Sequence, residues 1–333
     1  MQIGLIFVIL LVCCSIFVNG WTDAPNALTT VVSTRVLTPR KAVILAAIFN
    51  LLGVMLMGTA VAKTIGNMVA LAPGKDGLIS LAAAQLAIVT WSVSAWRFGI
   101  PTSESHALIA GLTGAALANG GLASVSWPEW QKVLWGLVIS SVLGFVTGWF
   151  FTWLTARLFK NVNRHKANKF FSAAQIVSAS AMAFSHGAQD GQKFMGVLAF
   201  ALVLGGVLPA GGNMVIPWQI MVFCSLLMAV GTSIGGYRII KTMGMDMVKI
   251  EKYQGFASEV AASACMLSAT VFGIPLSTTN TKGTALMGAA ASRRLSNVNW
   301  GIAKEMVTAW VLTFPVCGLI GYLMALLLHA IFG

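Results

Sequence analysis

Charge is what this sequence has least of. Only 9% of its 333 residues are Asp, Glu, Lys or Arg, while 57% are hydrophobic and the mean hydropathy is +0.84. Soluble globular domains carry roughly 25% charged residues, so a soluble fold is excluded and a polytopic membrane protein is implied. The chain also lacks any Gly-x-x-x-x-Gly-Lys-Ser/Thr loop, so it brings no ATP-binding phosphate loop of its own. Cysteine is sparse. Cys13, Cys14, Cys224, Cys265 and Cys317 all sit in apolar segments without metal-ligand spacing, and they read as small packing residues. No basic n-region precedes the apolar stretch 3–18, so that stretch is read as a mature span and not as a signal peptide. The formal net charge is +12, yet there is no basic arm and no basic face with interleaved aromatics, which argues against nucleic acid as a partner.

What is present is a series of apolar runs of about 20 residues or more. Five can be drawn at 3–34, 42–62, 77–97, 102–120 and 131–156, and five more at 170–205, 218–237, 253–272, 275–292 and 303–331. The first run of each half is too long for one simple crossing, and each is interrupted by an Asp. Most basic residues fall in every second loop: Arg35, Arg40, Lys41 and Arg97, then Arg157 to Lys169, then Arg238 to Lys252, then Arg293, Arg294 and Lys304. The positive-inside bias therefore places both termini outside and the linker 157–169 in the cytoplasm of a cell-membrane protein. Five runs per half is an odd number, so the second half starts from the opposite face. The expected fold is an all-α polytopic membrane protein with two inverted-topology repeats of about five apolar segments each. Broken or re-entrant helices are expected at the midplane. Residues 1–156 form the first repeat, 157–169 the linker and 170–333 the second repeat.

The duplication is visible in the motifs. Gly20-Trp21-Thr22-Asp23 has a twin at Gly187-Ala188-Gln189-Asp190, each placing one carboxylate inside an apolar run. A charge at mid-membrane costs roughly 2.5–3.5 kcal/mol even on the lenient insertion scale, so both acids are functional candidates. Gly99-Ile100-Pro101-Thr102-Ser103-Glu104-Ser105-His106 likewise matches Gly273-Ile274-Pro275-Leu276-Ser277-Thr278-Thr279-Asn280. Fourteen positions before each Gly-Ile-Pro stands a polar residue, Gln85 or Glu259. Pro at a helix start loses only an N–H that would be unpaired anyway. Ser and Thr hydroxyls beside free N–H groups at the positive end of a helix dipole suit an anion. Asp23, Asp190 and Glu259, with Gln85 and Asn26, are hard oxygen ligands suited to a cation. Together they suggest ion-coupled anion transport; the competing reading is that Pro and Ser only kink and cap membrane helices.

These residues resemble the inorganic phosphate transporter (PiT) family over nearly the whole chain. The family signature Gly-x-Asn-Asp-x-x-Asn is similar to Gly20-Trp21-Thr22-Asp23-Ala24-Pro25-Asn26 and to Gly187-Ala188-Gln189-Asp190-Gly191-Gln192-Lys193. The Pro-x-Ser-x-Thr segments are similar to those after Pro101 and Pro275. The resemblance implies no enzyme but a secondary active transporter that imports inorganic phosphate, free or as a metal–phosphate complex, as a homodimer in the bilayer. It implies phosphate on Ser103, Ser105, Ser277, Thr278, Thr279 and Asn280. It also implies H+ or Na+ coupling through Asp23, Asn26, Gln85, Asp190 and Glu259, with Na+ at Asp23, Asp190 and Glu259 and no other cofactor. Thr22 and Gln189 replace the Asn before each Asp and keep an oxygen. Lys193 stands in place of an Asn, where its ammonium either fills the place of a bound cation or pairs with a nearby acid. Glu104 adds an ionisable group, and His106, His186 and Lys282 are further candidates for a proton or charge role. A passive anion channel, a transporter of sulfate or another oxyanion, and an intramembrane hydrolase using paired Asp residues are the rival readings.

Overall fold

In a bilayer every backbone N–H and C=O must find its partner within the protein, and a helix satisfies them inside one segment. This chain does so almost throughout. The structure, a computed structural model, describes residues 2–209, 216–235 and 237–333. No strand forms among the described residues, only two isolated bridges, Val69–Val125 and Val248–Val298.

The elements fall into two series in the same order. The first has α1 (Gln2–Thr22), a 3-10 turn (Ala24–Leu28), α2 (Thr29–Ser33), α3 (Pro39–Leu56), α4 (Ala60–Asn67), α5 (Lys75–Phe98), α6 (Glu104–Gly120) and α7 (Trp127–Leu158). The second has α8 (Arg164–His186), a π turn (Gly187–Gly191), α9 (Gln192–Leu204), α10 (Trp218–Gly235), α11 (Tyr237–Lys241), α12 (Lys252–Val271), α13 (Thr278–Ala291) and α14 (Trp300–Phe332). Each series is a broken helix, a long helix, a short helix, two helices joined at Gly-Ile-Pro, and one very long helix. Pro25 ends α1 because its ring cannot continue the hydrogen-bond ladder. The second break has no Pro and is a π turn between Gly187 and Gly191.

The two series cross the molecule in opposite senses. At one end the start of α1 meets the end of α9, with Leu5 packed against Gly205 and the Gly74 N–H donating to the Leu204 carbonyl at 3.0 Å. At the other end the Thr34 hydroxyl donates to Gln175 of α8 at 2.9 Å, and Gly255 of α12 lies against the same Gln175. The α5–α6 pair opens at the first end, where Ser80 and Asn119 both reach His329 of α14, at 3.3 and 2.7 Å. The α12–α13 pair opens at the second, closed by Arg293 on Glu251 at 2.6 Å. Where α3 crosses α8, a Cβ on Gly53 would come within 2.0 Å of the Phe184 carbonyl and one on Gly187 within 2.1 Å of the Asn50 carbonyl. Only glycine allows that approach, as in other close membrane-helix crossings.

Six stretches among the described residues are long and apolar enough to cross a membrane, namely 3–33, 39–56, 75–98, 104–124, 127–158 and 300–332. A seventh candidate is α10 with residues 237–246, bent by 65°; the predicted run 218–237 includes residue 236, which lies outside the described residues. The ten apolar runs of the sequence therefore do not all become spans. The run 275–292 yields a helix of 14 residues, about 21 Å and short of a 30 Å hydrocarbon core. Apolar side chains such as Val138, Val142, Leu319 and Leu323 stand exposed along α7 and α14. That is the outward-facing pattern expected of lipid contact.

Candidate functional site

Four interruptions of helix converge inside the molecule. The breaks after α1 and α8 present Asp23 and Asp190, and the two Gly-Ile-Pro turns present the N-termini of α6 and α13. Gly99 and Gly273 take left-handed φ values of 71° and 65°, which glycine adopts without a Cβ penalty as it ends α5 and α12. Ser103 and Ser277 then cap the helices that follow, accepting the backbone N–H of His106 at 3.2 Å and of Asn280 at 3.1 Å. The two turns are joined. The Thr279 hydroxyl donates to the Thr102 carbonyl at 3.0 Å, and the Ser105 hydroxyl to the Leu276 carbonyl at 3.2 Å. Ser105 and Thr279 hold corresponding places in the repeat, as do Thr102 and Leu276, so the joint has approximate two-fold symmetry.

The carboxylates lie at this joint. The Thr278 hydroxyl is 3.0 Å from Asp23 Oδ2 and 2.9 Å from Asp190 Oδ2. Asn26 Nδ2 donates to Asp23 Oδ1 and to Thr279 at 2.9 Å, and the Thr279 hydroxyl, whose one hydrogen is shared with the Thr102 carbonyl, lies within hydrogen-bond reach of the same Oδ1. Across the symmetry, Lys193 Nζ donates to Asp190 Oδ1 at 2.7 Å, Ser105 Oγ at 2.6 Å and the Leu276 carbonyl at 2.5 Å. His186 Nε2 stands 3.3 Å from Asp190 Oδ2. One ligand atom from each of Asp23, His186 and Asp190 lies within 4.8 Å of the others, spacing that a single cation can span. Glu104 accepts from Thr22 at 2.6 Å, while its Oε2 has no hydrogen-bond partner among the described residues. All these side chains are buried.

Other candidates stand apart from this group. Glu259 accepts from Thr30 and from Ser178 at 2.5 Å, and Lys282 approaches it at 3.9 Å. Gln189, next to Asp190, donates to Thr270 of α12 at 2.9 Å. Glu259 lies eleven residues earlier on α12, about 16 Å along the axis. Of Asp23, Asp190 and Glu259, the three acids the sequence offers to Na+, the structure brings the two aspartates together and holds Glu259 apart; His186 is the third member beside the Asp pair. Gln85 is buried with no described partner for its amide, and His106 stacks on Phe314 with ring centroids 4.7 Å apart. Asn280 Oδ1 accepts the Ser277 hydroxyl at 2.8 Å.

Sequence reasoning did not single out Thr30 and Ser178 around Glu259, nor the Thr102 and Leu276 carbonyls. The hydroxyls lay unmarked among many others. A backbone carbonyl leaves no trace in residue type at all.

Broken helices and helix pairs that bring buried ionisable groups together inside a polytopic helical protein are the build of a membrane transporter. Residues 19–321 match the model of the Phosphate transporter family, and the chain belongs to that family. It is 38% identical, over its full length and that of the relative, to a probable low-affinity inorganic phosphate transporter of Bacillus subtilis. It is 40% identical to a protein of the same description in Rhizobium meliloti, over 92% of this chain and 91% of that one. These relatives are described as transporters and not as enzymes. A solved structure described as the sodium-dependent phosphate transporter has the same fold, with a TM-score of 0.89 over 99% of this chain and all of that one, at 22% identity.

Proposed function

We propose that this protein is a secondary active transporter that imports inorganic phosphate by symport with a cation, H+ or Na+. The observation that carries the reading is the charge at the joint of the two turns. Of three buried carboxylates, Asp23, Asp190 and Glu104, only Asp190 is paired with the buried ammonium of Lys193 among the described residues, so with all four groups ionised the charges sum to 3 − 1 = 2 negative charges. A phosphate anion entering such a site meets repulsion in a low dielectric. Cations or protons that neutralise the acids remove that repulsion, so anion and cation enter together.

Phosphate is held by the N-termini of α6 and α13 and by Ser103, Ser105, Ser277, Thr278, Thr279 and Asn280, some of which release their present partners to do so. The first N–H groups of each helix have no intrahelical acceptor and point along the positive end of the dipole. Asp23, Asn26 and Asp190 take the cation, with His186 and Glu104 as further proton-carrying groups. Gln85 and Glu259 occupy corresponding places, 14 residues before each turn, on helices that open at opposite ends of the molecule. They line the two access routes, and Lys282 balances Glu259.

Alternating access works between two inverted repeats, 1–156 and 170–333, joined by a cytoplasmic linker at 157–169. The protein is a homodimer of the cell membrane, with both termini outside. The resemblance and the loop charges support these assignments.

The test is phosphate uptake by the purified protein in liposomes, with sodium and proton gradients imposed separately. Accumulation above equilibrium under either gradient is expected, with no competition from excess sulfate. A passive channel equilibrates phosphate and never accumulates it, and that outcome overturns the proposal.

A further inference from the structure

The internal repeat lets one half of the site be read against the other. Asp23 corresponds to Asp190, Asn26 to Lys193, Thr279 to Ser105 and the Thr102 carbonyl to the Leu276 carbonyl. In the second copy the oxygens converge on an ammonium: Asp190 Oδ1, Ser105 Oγ and the Leu276 carbonyl, all within 2.7 Å of Lys193 Nζ. In the first copy the matching oxygens belong to Asp23, Thr279 and Thr102, and the residue at the place of the lysine is the uncharged Asn26. The Asn26 side chain is 1% exposed, and its Oδ1 has no hydrogen-bond partner among the described residues. Among the described ion pairs Asp190 has Lys193 and His186, whereas Asp23 has no lysine or arginine. An ionised carboxylate buried without a counter-charge is strongly disfavoured.

We infer that Lys193 is a tethered cation that permanently fills the second of two pseudo-symmetric monovalent-cation cages, leaving the first, at Asp23 and Asn26, to be filled from solution. Lys193 thereby sets how many cations this transporter takes up. The ammonium has the charge of an alkali cation, and its three close oxygen contacts are carboxylate, hydroxyl and carbonyl, the hard ligands such a cation prefers. Two of the three come from the turns of the opposite hairpins, so the lysine also ties the joint together. The inference deepens the symport reading and rests on it for the role of the cages in transport, but occupancy of the cages is measurable without transport.

The experiment measures binding of radioactive sodium to purified protein in phosphate-free buffer at equilibrium, and thermal unfolding in sodium chloride against choline chloride. The variants are K193N, K193A and K193R. The expected result is that K193N and K193A bind one more sodium per chain than the unsubstituted protein, and that sodium raises their unfolding midpoints more than its own. K193R keeps a positive charge in the cage and gains no sodium. The inference is overturned if K193N and K193A, both monodisperse, bind no more sodium than the unsubstituted protein, or if K193R gains as much as they do. Should K193N not accumulate, K193A in methylammonium chloride carries the same test: a midpoint raised over choline is expected, and no difference overturns it.

The count in the unsubstituted protein is read separately. One sodium means that Asp23 takes the alkali ion, and none means that it takes a proton; the gain on substituting Lys193 decides the inference in either case. Failure of phosphate accumulation in liposomes, with that gain intact, refutes the symport reading alone.

Discussion

The Thr279 hydroxyl donates to the Thr102 carbonyl at 3.0 Å, joining two turns that lie 177 residues apart in the chain. The same hydroxyl lies within hydrogen-bond reach of Asp23 and accepts from Asn26, so one side chain serves both the joint and the proposed first cage. Thr279→Val keeps the volume and removes all of these bonds. Hydrogen bonds to charged groups contribute about 1.5–3 kcal/mol, so phosphate uptake should fall at least about tenfold, while Thr279→Ser retains most of it. Initial uptake rates normalised to the protein present in the membrane check this. Unchanged uptake by the Val variant removes Thr279 from the site.

The two aspartates should respond differently to the same substitution. Asp190→Asn leaves the Lys193 ammonium buried beside a neutral amide, and breaking a buried pair by removing one partner costs about 3–5 kcal/mol. Asp23→Asn removes a carboxylate that has no lysine or arginine partner among the described residues. The first variant should lose thermal stability in detergent; the second should keep it and lose cation-coupled uptake. Equal midpoints for the two would contradict the charge arrangement described above. The double variant Asp190→Asn/Lys193→Met should recover part of the lost stability, since neither charge then remains.

Lys282 and Glu259 form a second buried pair at 3.9 Å, in which the Thr30 hydroxyl bonds the carboxylate and lies 3.4 Å from the ammonium. Lys282→Met and Glu259→Gln should each destabilise the protein, and together by less than the sum of their separate effects. The excess reports direct coupling between the two groups. Strict additivity of the shifts in unfolding midpoint would show that the residues do not interact.

The proposed orientation rests on the basic loops. In a background free of its five cysteines, Asn163→Cys should be labelled by an impermeant maleimide only after the cells are opened, and Gly74→Cys should be labelled on intact cells. Labelling of position 163 from outside inverts the topology proposed here.

Much of this protein was legible in its sequence, and for local reasons. Low charge and long apolar runs require a helical membrane protein, because a bilayer permits few other backbones. The duplicated Asp and Gly-Ile-Pro motifs marked the repeat, since residue type and spacing survive in one dimension. They also located the four interruptions where Asp23, Asp190, Ser103 and Ser277 stand. What the tertiary structure alone decided is which of these groups meet. Thr278 reaches both aspartates across 255 and 88 residues, and Lys193 closes on a carbonyl of Leu276 that no side-chain pattern announces. Glu259, grouped with the aspartates as a hard oxygen ligand, is held by Thr30 and Ser178 some 16 Å along α12 from the Thr270 that Gln189 reaches. Spacing along the chain specifies the face and the depth at which a residue stands on its own helix. Which buried charge receives which partner depends on how helices far apart in sequence cross, and that is settled only when they pack.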